Sequence, residues 1–330
     1  KPGEFVRILT STASDPRTVE TASLAVHELG GILTLLDLPP VGGEKSLSPD
    51  RLAYTGTTPL SGNKVALAAL KESQLIIDLM LLLFSKEQAE VLGAGARMLL
   101  AVERPEVLAR MVPTEDDRRR VLAGAKRLEA ARSMHVISRA GTDFRVDFGQ
   151  YPVVAEYGLA DAPGRWDHWP SGFLARWPNE ASAEGTVMLD RGDIILPFKN
   201  YVASPIELTI KHGYVRKIDG GLDAEFLRDY MDSFNDPEAY AVSHLGWGLQ
   251  SRASWTVLGL YDRSQTIGMD ARAFAGNFLF SLGPNTEAGG SRNTPCHLDI
   301  PMRRCSVSLD GEAMTRDGKV VAADQQPLDG

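Results

Sequence analysis

Cysteine is scarce in this chain: only Cys296 and Cys305 occur among its 330 residues. Two thiols are too few for a disulfide framework, or for a thiolate cluster that could hold zinc or an iron–sulfur centre. We therefore expect a protein of the reducing cytoplasm. Any metal site in it should be built from histidines and carboxylates.

Long apolar runs and an excess of positive charge are also missing. The longest apolar stretch, residues 79–84, is too short to span a bilayer and directly follows Asp78. The formal charge of −8 argues against a nucleic-acid binder, because such proteins gain affinity from Lys and Arg contacts to phosphate. The first five residues lack a signal-peptide pattern and give no support for secretion. These absences favour a small-molecule enzyme with neither a membrane nor a nucleic acid as partner.

Helical and strand-like patterns alternate through residues 1–134, which we predict to form a doubly wound α/β domain. The first helix has an N-cap at Asp15 and stops at Gly30. Continuously apolar strands lie between the helices, as a parallel sheet covered on both faces requires. The predicted helices are 15–29, 64–71, 86–92 and 115–134, and the predicted strands are 32–36, 75–83 and 98–102.

From His135 the pattern alternates between apolar and polar residues, so we place a domain boundary between residues 134 and 135. Segments 135–139 and 144–148 flank a turn sequence and predict a β-hairpin. One helix is predicted over 222–234. The further predicted strands are 185–189, 194–198, 206–210 and 213–218.

The six histidines differ in their surroundings. We expect surface or packing roles for His27, His135 and His212. His297 and Asp299 are spaced so that both side chains point to the same face of an extended strand. His244 lies in the segment 243–249, where two glycines would let the backbone turn tightly around a bound group.

Two imidazoles and one carboxylate form the ligand set of non-haem iron(II) oxygenases, which leaves coordination positions open for substrate and O₂. From the residues alone, one alternative stays open. In it, His244 is a core histidine with satisfied hydrogen bonds, and the closeness of His297 and Asp299 in the sequence is due to chance.

Three segments, 243–249, 276–283 and 289–302, resemble successive motifs of the M29 thermophilic-aminopeptidase superfamily, and specifically of its dihydroxypyridine dioxygenase branch. The resemblance implies an α+β, aminopeptidase-M29-like metal-binding domain over 135–330. The aminopeptidases hold two metal ions. Here His244 stands where they carry a glutamate, and 278–280 is apolar where they carry a histidine, so the resemblance favours the dioxygenase.

The same resemblance implies a function in nicotinate degradation. One Fe(II) ion, held by His244, His297 and Asp299, would promote cleavage of 2,5-dihydroxypyridine between carbons 5 and 6 by O₂, giving N-formylmaleamate. The alternatives are a dinuclear aminopeptidase-like hydrolase and a catalytically inactive ligand-binding scaffold. We also expect a homo-oligomer.

Further site residues are implied by the family alone. The resemblance implies that Arg272 and Ser281 contact the substrate and that His168 reaches it from the domain junction. Glu156 and Leu83 are assigned to the same pocket. An arginine would supply a fixed positive charge for a deprotonated substrate oxygen. The alternatives are a surface ion pair for Arg272, a strand hydroxyl for Ser281 and a solvated charge for Glu156.

Phe84 is a departure from the family that this chain resembles. At that position the family carries a histidine, which acts as the acid–base group. A phenyl ring can neither accept nor donate the proton that ring opening requires. Three explanations stay open: an engineered substitution, a natural variant that uses another base such as His168, and a shifted alignment in which Phe84 is a core residue.

Overall fold

The structure is a computed structural model that describes residues 1–40, 58–82 and 85–328. By their contacts, the described residues form two compact units. The first draws on 1–113, 157–171 and 264–267, and the second on 114–156, 172–263 and 268–330. The domain boundary between residues 134 and 135 stays a prediction; by contacts, the helix before it groups with the second unit.

The described residues contain eight α-helices and twenty strands. The helices are α1 Pro16–Glu28, α2 Lys64–Lys71, α3 Lys86–Gly93, α4 Pro105–Arg110, α5 Glu115–Ala130, α6 Leu222–Asp232, α7 Val257–Leu260 and α8 Met269–Ala273. The strands are β1 Phe5–Thr10, β2 Ile32–Asp37, β3 Leu75–Asp78, β4 Arg97–Leu100, β5 Ser133–Ser138, β6 Asp143–Asp147, β7 Val153–Glu156, β8 Trp166–His168, β9 Phe173–Arg176, β10 Glu184–Leu189, β11 Ile194–Ile195, β12 Asn200–Tyr201, β13 Ile206–Lys211, β14 Tyr214–Gly220, β15 Val242–Gly248, β16 Phe278–Leu282, β17 Leu298–Met302, β18 Cys305–Leu309, β19 Glu312–Arg316 and β20 Lys319–Val320.

A five-stranded parallel sheet forms the first unit, in the order β2-β1-β3-β4-β8. The side chains of successive residues in β1 point to opposite faces of the sheet. Ile8 belongs to a core cluster with residues of α1 and α4, and Leu9 to a cluster with residues of α2 and α3. Helices therefore cover both faces, which confirms the predicted doubly wound α/β arrangement.

Strand β3 is shorter than predicted, because the chain leaves the sheet at Asp78. The Asp78 carboxylate is buried and accepts the backbone N–H groups of Met80, at 2.7 Å, and Leu82, at 2.8 Å. Leu81 between them has a left-handed φ of 63°. A side chain that captures backbone donors competes with the strand ladder. Hydrophobicity alone did not show this, and the prediction of a strand over 75–83 was wrong for residues 79–82.

Antiparallel sheets form the second unit. One has eight strands in the order β14-β13-β10-β6-β5-β18-β19-β20, another has five in the order β17-β16-β15-β9-β7, and β11 pairs with β12. Strands β5 and β6 form the predicted hairpin, with Val136 opposite Phe144. Helix α5 ends four residues earlier than predicted, because the Asp310 carboxylate accepts the N–H groups of Arg132 and Ser133 and draws the chain into β5. Across the described ranges, no helix is both long and apolar enough to cross a membrane.

Candidate metal centre

The predicted metal ligands lie in or directly beside two strands of the five-stranded sheet, β15 and β17. His244 lies in β15, Asp299 lies in β17, and His297 directly precedes β17. Strand β16 runs between them and places Ser281 directly opposite Asp299. Residues that are far apart in the sequence thus meet on one face of one sheet.

A β-bulge sets the direction of His244. Val242 pairs with Leu282 and Leu245 pairs with Phe280, so Ser243 and His244 together lie opposite the single residue Ser281. A bulge of this kind bends the strand and redirects a side chain, and bulges are frequent beside active sites.

The two glycines after His244 have a different function from the predicted one. They lie in strand β15 rather than in a tight turn. A Cβ atom at Gly246 would lie 1.8 Å from the carbonyl oxygen of Leu174, and one at Gly248 would lie 2.4 Å from that of Phe274. The prediction of a turn was therefore wrong: glycine is required here because neighbouring backbone passes too close for any side chain.

The side chains of His244, His297 and Asp299 converge on a common point. The Nε2 atoms of His244 and His297 lie 3.3 and 3.1 Å from Oδ1 of Asp299. One donor atom from each residue lies within 4.8 Å of the others, and all three residues are buried. Two imidazole nitrogens and a carboxylate oxygen at such spacing fit a single divalent transition-metal ion.

The electrostatics of the cluster also suit a cation. Burial alone would raise the pKa of Asp299, but His297, Arg272 and His244 lower that pKa well below its usual range. Arg272 in α8 donates from Nε to Oδ2 of Asp299 at 2.6 Å. Burial lowers the pKa of His244 to about 4, so its imidazole is neutral near pH 7. An ionised carboxylate and a neutral imidazole are the protonation states that metal binding requires.

Ser281 contacts two of the three proposed ligands. Its Oγ atom lies 2.6 Å from Oδ1 of Asp299 and 3.1 Å from Nδ1 of His244. The side chain is fully buried. Trp177 packs edge-on against the His244 ring, with 5.1 Å between the ring centroids.

The remaining predicted site residues lie in several places. Glu156 is buried at the end of β7 in the second unit. His168 is buried at the carboxyl end of β8 in the first unit, where its Nδ1 atom lies 3.0 Å from the carbonyl oxygen of Pro170. Leu83 and Phe84 lie outside the described residues. Their functions stay predictions.

Glu287 was missed by sequence reasoning. It lies in the loop between β16 and His297, and its Oε1 atom is buried without a hydrogen-bond partner among the described residues. Burial, together with the charges of Asp299 and Glu156, raises the pKa of Glu287 well above its usual value. A carboxylate in a flexible-looking loop carries no periodic signal, and only its position ten residues before His297 could have suggested it.

Known proteins are similar to this chain along almost its whole length. The family model of NicX, described as 2,5-dihydroxypyridine 5,6-dioxygenase, matches residues 1–322. A curated 2,5-dihydroxypyridine 5,6-dioxygenase of Pseudomonas putida KT2440 is 58% identical over 322 residues, which cover 98% of this chain and 92% of that protein.

Two solved structures are similar along nearly the whole chain. The structure of 2,5-dihydroxypyridine dioxygenase from Pseudomonas putida KT2440 has a TM-score of 0.95 and 57% identity, with 98% of this chain and 93% of that chain covered. Wild-type AmpT from Thermus thermophilus has a TM-score of 0.62 and 14% identity, with 98% and 95% covered. The second likeness concerns the fold alone.

Proposed function

This chain belongs to the NicX family of 2,5-dihydroxypyridine 5,6-dioxygenases, and from that premise we propose that it cleaves 2,5-dihydroxypyridine at one Fe(II) ion held by His244, His297 and Asp299. The observation that carries the proposal is the convergence of the two Nε2 atoms on Oδ1 of Asp299, at 3.3 and 3.1 Å. The pyridine ring and O₂ react only slowly with each other. Bound iron(II) would provide a route for electron transfer from the ring to O₂.

Arg272 has two tasks in this proposal. Its Nε–H group holds Oδ2 of Asp299, which leaves Oδ1 directed at the two imidazoles. Its fixed charge would also balance a substrate hydroxyl that has lost its proton, because a guanidinium stays protonated at any working pH.

Proton transfer requires a further residue. Cleavage between carbons 5 and 6 with insertion of both oxygen atoms converts the hydroxyl-bearing carbon 5 into a carboxylate and carbon 6 into the N-formyl group. One proton therefore leaves the substrate in each turnover. We assign its acceptance to Glu287, because its buried Oε1 atom has no hydrogen-bond partner among the described residues and a carboxylate oxygen can accept a proton. His168, which the family resemblance brings to the substrate, is the alternative base.

A dinuclear hydrolase is the weaker candidate. Such an enzyme needs a second set of ligands, and within the described ranges His244, His297 and Asp299 form the one group of at least three metal-ligating residues. The likeness to AmpT, at 14% identity, concerns the fold and not the activity.

Anaerobic reconstitution tests the proposal. Protein loaded with Fe(II) should hold about one iron per chain by elemental analysis, and admission of O₂ should consume one O₂ per 2,5-dihydroxypyridine, as the ultraviolet absorbance of the ring disappears. Zinc-loaded protein is the control, since Zn(II) has no redox chemistry. In the same assay, Glu287→Gln should slow single-turnover ring opening without loss of iron, whereas the exposed Glu225→Gln should not. Two metal ions per chain with peptide hydrolysis would refute the proposal.

Three broader expectations stay proposals. The absence of a disulfide, with both Cys296 and Cys305 buried as free thiols, supports a reducing, cytoplasmic location. Participation in nicotinate degradation and a homo-oligomeric state derive from the family resemblance. Sedimentation equilibrium of the purified protein measures the last of these directly.

A further inference from the structure

The position of Ser281 is unusual for a substrate-binding residue. It lies in the middle of β16, fully buried, opposite Asp299 on one side and the bulge that carries His244 on the other. Its Oγ atom is within hydrogen-bond distance of Oδ1 of Asp299, at 2.6 Å, and of Nδ1 of His244, at 3.1 Å.

The number of protons fixes the direction of both hydrogen bonds. A serine hydroxyl has one proton to donate, and an ionised carboxylate can only accept. Asp299 is ionised because it is paired with Arg272 at 2.6 Å, so Ser281 donates its proton to Oδ1 of Asp299. The remaining contact can form only if Nδ1 of His244 carries a proton and donates it to Oγ of Ser281.

This chain of hydrogen bonds determines which nitrogen of His244 is free to bind a metal. In a neutral imidazole with a proton on Nδ1, the lone pair is on Nε2. Nε2 is the atom that lies 3.3 Å from Oδ1 of Asp299, on the side where His297 also converges. The opposite tautomer would place a proton where the ion has to bind.

We propose that Ser281 is a positioning residue, which selects the metal-binding tautomer of His244 and orients Asp299, rather than a substrate contact. The inference rests on the proposed function in so far as His244 and Asp299 are metal ligands. Partners that orient a ligand from behind typically account for 10–100-fold in metal affinity. The proton and one of the two acceptor sites of the hydroxyl are committed to protein atoms, so the hydroxyl has no proton left to donate to a substrate.

Spectroscopy of the unaltered protein provides the first test, and it leaves Ser281 unchanged. Proton–nitrogen correlation spectra of metal-free protein with isotope-labelled histidine distinguish the two neutral tautomers, and a His244→Gln variant assigns the signal. We expect the proton of His244 on Nδ1. A proton on Nε2 would overturn the proposal whatever the activity of the enzyme.

Variants provide the second test. Ser281→Ala should give a mixture of His244 tautomers and lower Zn(II) affinity, measured by chelator competition, by roughly 10–100-fold. With iron saturating, KM for the hydroxypyridine should stay within about twofold, since the substrate loses no contact. Ser281→Thr keeps the hydroxyl and should restore both the tautomer and the affinity.

The matched control is Thr315→Val, which removes another buried hydroxyl of the second unit that bonds only to backbone atoms of Cys305 and Val307 in the contacts described. It should change neither the His244 signal nor the Zn(II) affinity. Unchanged metal affinity with a raised KM in Ser281→Ala would instead make Ser281 a substrate contact. Because the tautomer and the Zn(II) affinity are independent of ring opening, failure of the proposed function would not be mistaken for failure of this one.

Discussion

Two buried aspartates, one in each compact unit, have opposite electrostatic environments. Asp78 at the end of β3 is 0% exposed, and Asp299 in β17 is 4% exposed. Burial raises the pKa of Asp78 to about 6, against the opposing effect of backbone N–H groups. At Asp299 burial acts in the same direction, but His297, Arg272 and His244 outweigh it and lower the pKa well below its usual value.

Burial by itself therefore does not distinguish a structural carboxylate from a functional one. Asp78 shapes the loop that follows the parallel sheet by accepting the N–H groups of Met80 and Leu82. Asp299 stays ionised because the Arg272 guanidinium pairs with it, and an ionised carboxylate beside imidazoles is ready to bind a cation. The neighbours of a carboxylate decide what it can do.

Metal retention should separate the two aspartates most strongly. Asp299→Asn, like His244→Ala and His297→Ala, should abolish iron binding and ring opening while the protein still folds, because each removes one of three ligands. Asp78→Asn, the matched substitution in the first unit, should keep about one iron per chain. Elemental analysis after anaerobic desalting and circular dichroism are the measurements. Stoichiometric iron in any of the three site variants would exclude that residue as a ligand.

The second-largest difference between Asp78 and Asp299 should be in the pH dependence of the unfolding free energy. A carboxyl group with a raised native pKa contributes stability at pH values below its unfolded pKa and loses that contribution as the pH rises through about 6. The difference between its usual value near 4 and about 6 corresponds to roughly 3 kcal/mol. Relative to the unaltered protein, Asp78→Asn should therefore gain about this much in unfolding free energy between pH 4 and pH 7.

Urea denaturation of the metal-free proteins at several pH values measures this difference. The asparagine also binds the loop N–H groups less well, so a constant offset is expected in addition to the change with pH. Parallel stability curves for the two proteins would show that Asp78 has an ordinary pKa and that the contrast with Asp299 is smaller than described.

The smallest effect is expected from the fixed charge beside Asp299. Arg272→Ala removes a hydrogen bond between charged groups, worth about 1.5–3 kcal/mol, and should lower kcat/KM by roughly 10–100-fold. Arg272→Lys keeps the charge but loses the planar fork, so it should lower kcat/KM by less. Steady-state kinetics with iron saturating is the measurement. Unchanged kinetics in both variants would remove Arg272 from the site.

Local patterns in the sequence were sufficient for much of the architecture. The N-cap at Asp15, the hairpin around residues 140–143 and the continuously apolar strands of a parallel sheet each depend on neighbours within a few residues. The spacing of His297 and Asp299 belongs to the same class, because the period of two in an extended chain puts both on one face. For this reason the sequence indicated these features correctly.

What the sequence by itself determined is thus the set of elements and the residue types able to bind a metal. Only the tertiary structure decided that two residues of β15 lie opposite Ser281, that Ser281 faces Asp299, and that Glu287 approaches Asp299 and Glu156. The same holds for the early end of β3 at Asp78. These facts depend on strand register and on contacts between distant segments, and no local pattern encodes them, since a shift of one residue in register would turn every side chain to the opposite face.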